Sequence, residues 1–263
     1  MKPLYIESVG VCAPGLLNWQ QAIPVLRGEQ AYEASDPGVY QPQLLPPNER
    51  RRATAAVRLA FRVAEEAMSG TMLQPHELSS VFTSSEGDTG ILHRLCSALA
   101  EPQRAVSPTD FHNSVHNAAA GYWGIAAQAK RPSASLSAFD ASFCAGLLEA
   151  AGLALDEEIP VLLVAYDIRP PEPLYTTRPL AESIGVALVL SPQASTQALD
   201  RIEMHSTTQS SVVMENAALE SLRLSNPAGR ALPLLQLLAN RKAGAVVVAG
   251  TSDQRWQLAV SPL

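Results

Sequence analysis

Cysteine is scarce in this chain. Cys12, Cys96 and Cys144 stand far apart in 263 residues, odd in number and in no CxxC pair. That argues against a disulfide framework or a zinc site and fits a reducing compartment, the cytoplasm. A basic patch is missing too: net charge is −6, and the densest cationic run is Arg50-Arg51-Arg52. Nucleic acid is therefore not an expected ligand. No stretch reaches the roughly 18 apolar residues of a membrane span. The opening MKPLYIESVGVCAPG is too short and polar for a secretory signal. Aromatic residues are only 5% of the chain, yet 47% is apolar and 17% charged, which is the balance of a globular protein with a full-sized core.

What is present alternates between strand and helix patterns. Residues 3–12 read as a strand stopped by Pro14-Gly15, and Asn18 stands where it would cap a short helix ending at Gly28. Residues 29–47 read as a surface loop. Residues 48–69 form the clearest amphipathic helix, with Ala56, Leu59, Ala60, Val63 and Ala67 at helical spacing. A strand, LSSVFTSS, and a helix, ILHRLCSALA, follow. Residues 108–129 read as one long helix whose run Ala118-Ala119-Ala120-Gly121 admits a close neighbour. Then come a strand at 133–138, a turn at 139–142 and a helix at 143–155. PVLLVAYD and IGVALVLS are buried strands divided by a Pro-rich loop, IRPPEPLYTTRP. A Leu-rich helix at 228–240 and a strand pair, AGAVVVAG and WQLAVS, close the chain. The class is α/β with helices on both faces of a sheet.

Several residues invite a chemical reading. In SLSAFDASFCAGL a strand runs through a tight turn into a helix with Cys144 just inside it. Strand–turn–helix elbows hold the nucleophile of many acyl-transfer enzymes. His112 and His116, four apart on the expected long helix, share one face. Metal is not expected there, because no third ligand is near in sequence and no HExxH is present. Glu86-Gly87-Asp88-Thr89-Gly90 lacks Lys and carries two acids, so it reads as a polar turn and not a phosphate cradle.

Three segments resemble the β-ketoacyl synthases. IESVGVCAPGLLNWQQAIPVLRGEQAYE is similar to their opening strand, turn and helix. VSPTDFHNSVHNAAAGYWGIAAQAKRPSASLSAFDAS is similar to their approach to the nucleophile elbow, and IGVALVLS to the strand after their acidic loop. The likeness covers residues 3–192. FHNSVHNAAAGYW, its most distinctive piece, resembles the short chain-length-factor branch of aryl-polyene and xanthomonadin-type pigment clusters. The resemblance implies a thiolase-like layered fold with sheets covered by helices. It implies one N-terminal-like domain over 1–263, with the second half truncated and 193–263 reduced to a helix and a strand pair.

The same resemblance places the family's catalytic cysteine on Asp140 when the segment is matched without gaps, with Ser142 at the small residue two positions later. Cys144 falls four residues past the nucleophile position. The elbow would use its helix N-terminus to lower a thiol pKa, and a carboxylate at that place is expected to cap the helix. Cys144 is expected to be a buried small hydrophobe. The family's two later histidines are missing: after His116 only His205 remains, in RIEMHSTTQ, and SNPAGRALP is the nearest remnant of the Asn-Lys…Gly-His motif. In the family the segment before the elbow helix borders the dimer interface and reaches the partner's acyl tunnel. Phe111, His112, Val115 and His116 are therefore candidates to set tunnel depth, or to pack an interface.

The implied function is a non-catalytic ketosynthase-like subunit, a chain-length factor in polyene or fatty-acid-like biosynthesis. It would pair as a heterodimer with an active β-ketoacyl-ACP synthase, meet acyl carrier protein, and need neither cofactor nor metal. Two alternatives stay open. One is a self-contained acyl-transfer or decarboxylating enzyme using Asp140 or Cys144. The other is a homodimeric scaffold that binds acyl carrier protein, to which Arg50, Arg51 and Arg52 are suited, although a solvated helix start is their commoner role.

Overall fold

The strand patterns differ from one another in a way that already sorts the layers. In PVLLVAYD every position is apolar up to the final Asp, so both sides of that strand must be covered. In the computed structural model, which describes residues 2–263, they are. The elements in chain order are β1 (Leu4–Cys12), α1 (Trp19–Leu26), α2 (Pro47–Arg52), α3 (Ala55–Ser69), β2 (Ser79–Thr83), α4 (Thr89–Ala100), α5 (Pro108–His112) and α6 (Ala118–Ala127). They continue with β3 (Ser133–Leu136), α7 (Ser142–Glu157), β4 (Val161–Asp167), α8 (Leu174–Thr177) and β5 (Ile184–Ser191). The last elements are β6 (Asp200–Ser206), α9 (Ala217–Leu224), α10 (Leu232–Asn240), β7 (Gly244–Ala249) and β8 (Arg255–Pro262).

The strands form one eight-stranded sheet in the order β3-β2-β4-β5-β1-β6-β8-β7. β2 runs parallel to β3 and β4, and every other neighbouring pair is antiparallel. Alternate side chains enter opposite cores, as the two-residue period of a strand requires. On β4, Val161, Leu163 and Ala165 join the core beneath α1, α7 and α10. Leu162, Val164 and Tyr166 join the core beneath α3 and α6, with Phe61, Phe82 and Trp123. β5 divides the same way, Val186 and Leu188 to one side and Ala187 and Val189 to the other.

α3 lies against β1 and β5, and the seam is tight. A Cβ at Gly10 would sit 2.1 Å from the carbonyl oxygen of Val63, so that position has no room for a side chain. Ser8 adds a hydrogen bond from its hydroxyl to the Ala67 carbonyl at 2.6 Å.

Four expectations are corrected. Residues 48–69 form two helices, because Thr54 turns extended and its hydroxyl accepts from the Val57 N–H, starting α3 afresh. Residues 108–129 are also two helices. Asn113 is buried between them, its side chain donating to the Arg52 carbonyl and accepting from the Tyr122 hydroxyl, which halts α5 at His112. The small-residue run does not admit a close backbone at Gly121, where an added Cβ meets nothing within 4 Å. Finally, residues 193–263 are more than a helix and a strand pair. β6 pairs with β1 (Leu4 opposite Ile202), so this segment widens the one sheet instead of starting another.

The two glycines predict opposite effects. Gly10→Ala overpacks the α3 seam and should lower stability by roughly 1–3 kcal/mol. Gly121→Ala, in an open helical position, should raise it by roughly 0.5–1 kcal/mol. Urea unfolding of both variants checks this; a neutral Gly10→Ala would contradict the packing account.

Candidate functional site

The elbow follows edge strand β3. Phe139 takes a left-handed conformation (φ +53°), a single 3-10 turn runs through Ala141, and α7 begins at Ser142. Ser142 locks the turn: its hydroxyl donates to the Phe139 carbonyl at 2.7 Å and accepts from the Ala138 N–H at 3.0 Å. The Ser142 carbonyl in turn accepts from the Thr83 hydroxyl on β2 at 2.9 Å. A Cβ at Gly146 would lie 2.6 Å from Thr83 Cγ2, so α7 rests directly on β2.

Asp140 does not cap α7, contrary to expectation; no side chain caps that helix. The turned Phe139 swings Asp140 outward, where its Oδ1 accepts from Arg178 Nη2 at 2.7 Å. Arg178 follows α8 in the Pro-rich loop. Its Nε donates to Glu86 Oε1 at 2.9 Å, its Nη2 also donates to the Ser85 hydroxyl at 2.8 Å, and its guanidinium lies 3.7 Å from the Phe139 ring centroid. Two carboxylates, a hydroxyl and an aromatic face thus hold one largely shielded cation, a combination suited to the flat guanidinium fork.

Beneath Glu86 lies Asp167, the last residue of β4 and almost fully buried. Its Oδ1 accepts from the Ser84 hydroxyl (2.6 Å) and the Glu86 N–H (3.2 Å), and its Oδ2 from the Ser85 N–H (3.1 Å). Burial nevertheless pushes its carboxyl up to about 6. Asn226, from SNPAGRALP, donates to the backbone carbonyls of Asp167 (3.0 Å) and Glu182 (2.8 Å). Arg230, nearby, has its pKa lowered by burial and by the neighbouring Arg223.

Cys144 is buried among core side chains, and burial pushes its thiol up to about 11, so it stays protonated near neutrality. His112 and His116 do not share a helix face. His112 is exposed at the end of α5, while His116 lies beyond the break and donates from Nε2 to the Ser84 carbonyl at 2.9 Å. Among the described residues no group of three or more His, Cys, Asp or Glu side chains lies close enough to hold a metal. His205 sits on β6, five places along the sheet from β3, beside Glu203. The Glu86–Gly90 segment is a polar turn in which Asp88 caps α4. Arg50 is spent on the Gln43 and Leu45 carbonyls.

Large apolar side chains are exposed along the segments that lead to the elbow. Phe111 is 69% exposed, Val115 53%, Ile125 58% and Phe139 60%, and α6, which carries Ile125, packs against β3.

The sequence model of the beta-ketoacyl synthase N-terminal domain matches residues 19–257. The chain belongs to that family. Solved ketosynthase structures share its fold. A ketosynthase (ApeO) in complex with its chain length factor (ApeC) from Xenorhabdus doucetiae matches at TM-score 0.72 and 23% identity, over 97% of this chain and 98% of that one. The ishigamide ketosynthase/chain length factor matches at 0.73 and 11%, over 100% of both chains. AntDE:AntF, a type II polyketide acyl-carrier protein in complex with its ketosynthase, matches at 0.73 and 10%, over 100% of this chain and 99% of that one. No curated protein matches. Among the described residues no helix is long and apolar enough to cross a membrane.

In this ketosynthase-family chain, sequence reasoning found the elbow but missed Arg178, Glu86, Asp167 and Asn226 as its supports. The partners stand 38 to 93 positions apart along the chain, and no local pattern signals such pairing.

The raised Asp167 pKa has a measurable consequence. Between its ordinary 3.8 and about 6 the native state holds a proton that the unfolded chain has released. The stability this adds is complete below about pH 4 and is lost as pH rises through about 6. Asp200, buried with both carboxylate oxygens unpartnered among the described residues, is also pushed up to about 6 and adds in the same direction. Asp167→Asn should flatten the pH dependence of the melting temperature between 4 and 7, leaving the share of Asp200. An unchanged slope would contradict the assignment.

Proposed function

We propose that this chain is a cytoplasmic, non-catalytic ketosynthase-like subunit, a chain-length factor that pairs with an active β-ketoacyl-ACP synthase and meets its acyl carrier protein. The observation that carries the reading is the state of the elbow. The position matched to the family's cysteine holds Asp140, and its carboxylate is engaged by Arg178. The one nearby thiol, Cys144, is buried and protonated. Condensation needs a thiolate that carries the acyl chain, and neither group supplies one. This speaks against a self-contained acyl-transfer enzyme. Similar structures, a ketosynthase in complex with its chain length factor among them, support a paired role.

The pairing surface follows from the exposed apolar side chains. Phe111 and Val115 are the candidates to enter the partner's acyl tunnel and limit its depth by steric fit. His112, exposed beside them, lies at the rim. His116, committed to the Ser84 carbonyl, positions the segment from within. Residues 1–263 act as one N-terminal-like domain in this proposal, with 193–263 a reduced second half.

Co-expression with a full-length ketosynthase from the same cell tests the proposal. A complex containing one copy of each chain is expected on native mass spectrometry, with Phe111→Asp or Val115→Asp abolishing it while the variant still folds. A stable homodimer with no ketosynthase bound would overturn the pairing.

A further inference from the structure

A cavity of about 710 Å³ lies away from the elbow. It sits over the ends of β1 and β4 and the start of β5, walled on one side by α3 and on the other by the loop from Ala34 to Tyr40. None of its lining residues belongs to the Glu86–Asp140–Arg178 cluster. Its size falls in the range of about 300–1,000 Å³ typical of small-molecule sites.

The wall is pre-formed. Arg62 donates to the Pro37 carbonyl at 2.7 Å and to the Leu17 carbonyl at 3.1 Å. Glu65 accepts from the Tyr40 hydroxyl and from the backbone N–H of Gln43 and Leu44. Side chains of one helix therefore pin the loop along its length. The lining is mainly apolar, contributed by Cys12, Pro14, Val39, Tyr40, Leu59 and Ile168. Burial pushes the Cys12 thiol up to about 11, so the floor carries no charge at neutral pH.

Three arginines, Arg58, Arg62 and Arg169, face two acids, Asp36 and Glu182. Arg62 is occupied by the loop. Arg169 donates to the Ala181 carbonyl and stacks on the Tyr175 ring. Arg58 differs. Its Nε donates to the Ala53 carbonyl at 2.9 Å, which fixes the fork, while its two terminal nitrogens have no hydrogen-bond or ion-pair partner among the described residues. A fixed guanidinium with both terminal nitrogens free is suited to bidentate recognition of a carboxylate.

We propose that this cavity binds an amphipathic monocarboxylate, with its apolar body against Val39, Leu59 and Ile168 and its carboxylate on the terminal nitrogens of Arg58. One negative charge balances the surplus cation, while Asp36 and Glu182 oppose a second. The mainly apolar wall selects against a small hydrophilic anion such as free phosphate.

Calorimetric titration of the full chain with decanoate, decan-1-ol and decyltrimethylammonium tests the site. Decanoate should bind saturably, one molecule per chain, and more tightly than either the alcohol or the cation. Arg58→Gln should weaken it about tenfold or more, the loss expected for a charge-assisted hydrogen-bond pair. Val39→Glu, at a position 82% exposed and harmless to folding, should weaken it as well by setting a like charge in the wall. Val39→Glu keeps the test open should Arg58→Gln fail to fold, which thermal melts will show. Absence of saturable decanoate binding, equal binding of the alcohol or the cation, or a folded Arg58→Gln with unchanged affinity would each overturn the proposal.

Discussion

The carboxylate of Asp167 gathers three separate stretches of chain at the end of the sheet where the elbow stands. It takes the Ser84 hydroxyl and the Ser85 and Glu86 amides, while its own backbone carbonyl is held by Asn226. Burying an acid is costly unless its oxygens are met by donors, and here each is met. The arrangement fixes the turn after β2, and that turn presents Glu86 to Arg178. Arg178 then reaches Asp140, so the shape of the elbow depends on a buried carboxyl on a different strand. The coupling runs through contacts of 2.6 to 3.2 Å and needs no flexible intermediary.

This geometry explains how the elbow holds its shape with a carboxylate at position 140. Ser142 closes the turn through its own hydroxyl, and Gly146 lets α7 lie on Thr83 of β2. Neither contact requires a thiol at position 140. A carboxylate there can be neutralised by a cation, and Arg178 supplies it while covering the Phe139 ring. The charge is thereby absorbed into the protein's own structure, away from any reacting group. What remains for the outside is shape: an edge strand with apolar side chains beside it.

Much of this was legible in the sequence, for identifiable reasons. The strands 160–167 and 184–191 announce themselves because both faces are buried, and Asn18 caps α1 through the Gln21 N–H as its position suggests. Cys144 as a core residue follows from the habits of free cysteine. Helix breaks were not legible. Thr54 and Asn113 are weak helix residues whose effect depends on a partner, and the partners of Asn113 become neighbours only in the folded chain. β6 was hidden because its alternation, buried at Asp200, Ile202 and Met204, begins with a charged residue. The Arg178 clamp is invisible for the same reason: a lone arginine in a Pro-rich loop carries no sign of what it will meet.

The central claim is that this chain contributes structure and surface, and no nucleophile, to acyl-chain assembly. The most direct test incubates its complex with a full-length ketosynthase and an acyl-loaded carrier protein, then reads the intact mass of each subunit. The account predicts an acyl adduct on the partner alone, with this chain unmodified. An acyl adduct on Cys144 or Asp140 would contradict it.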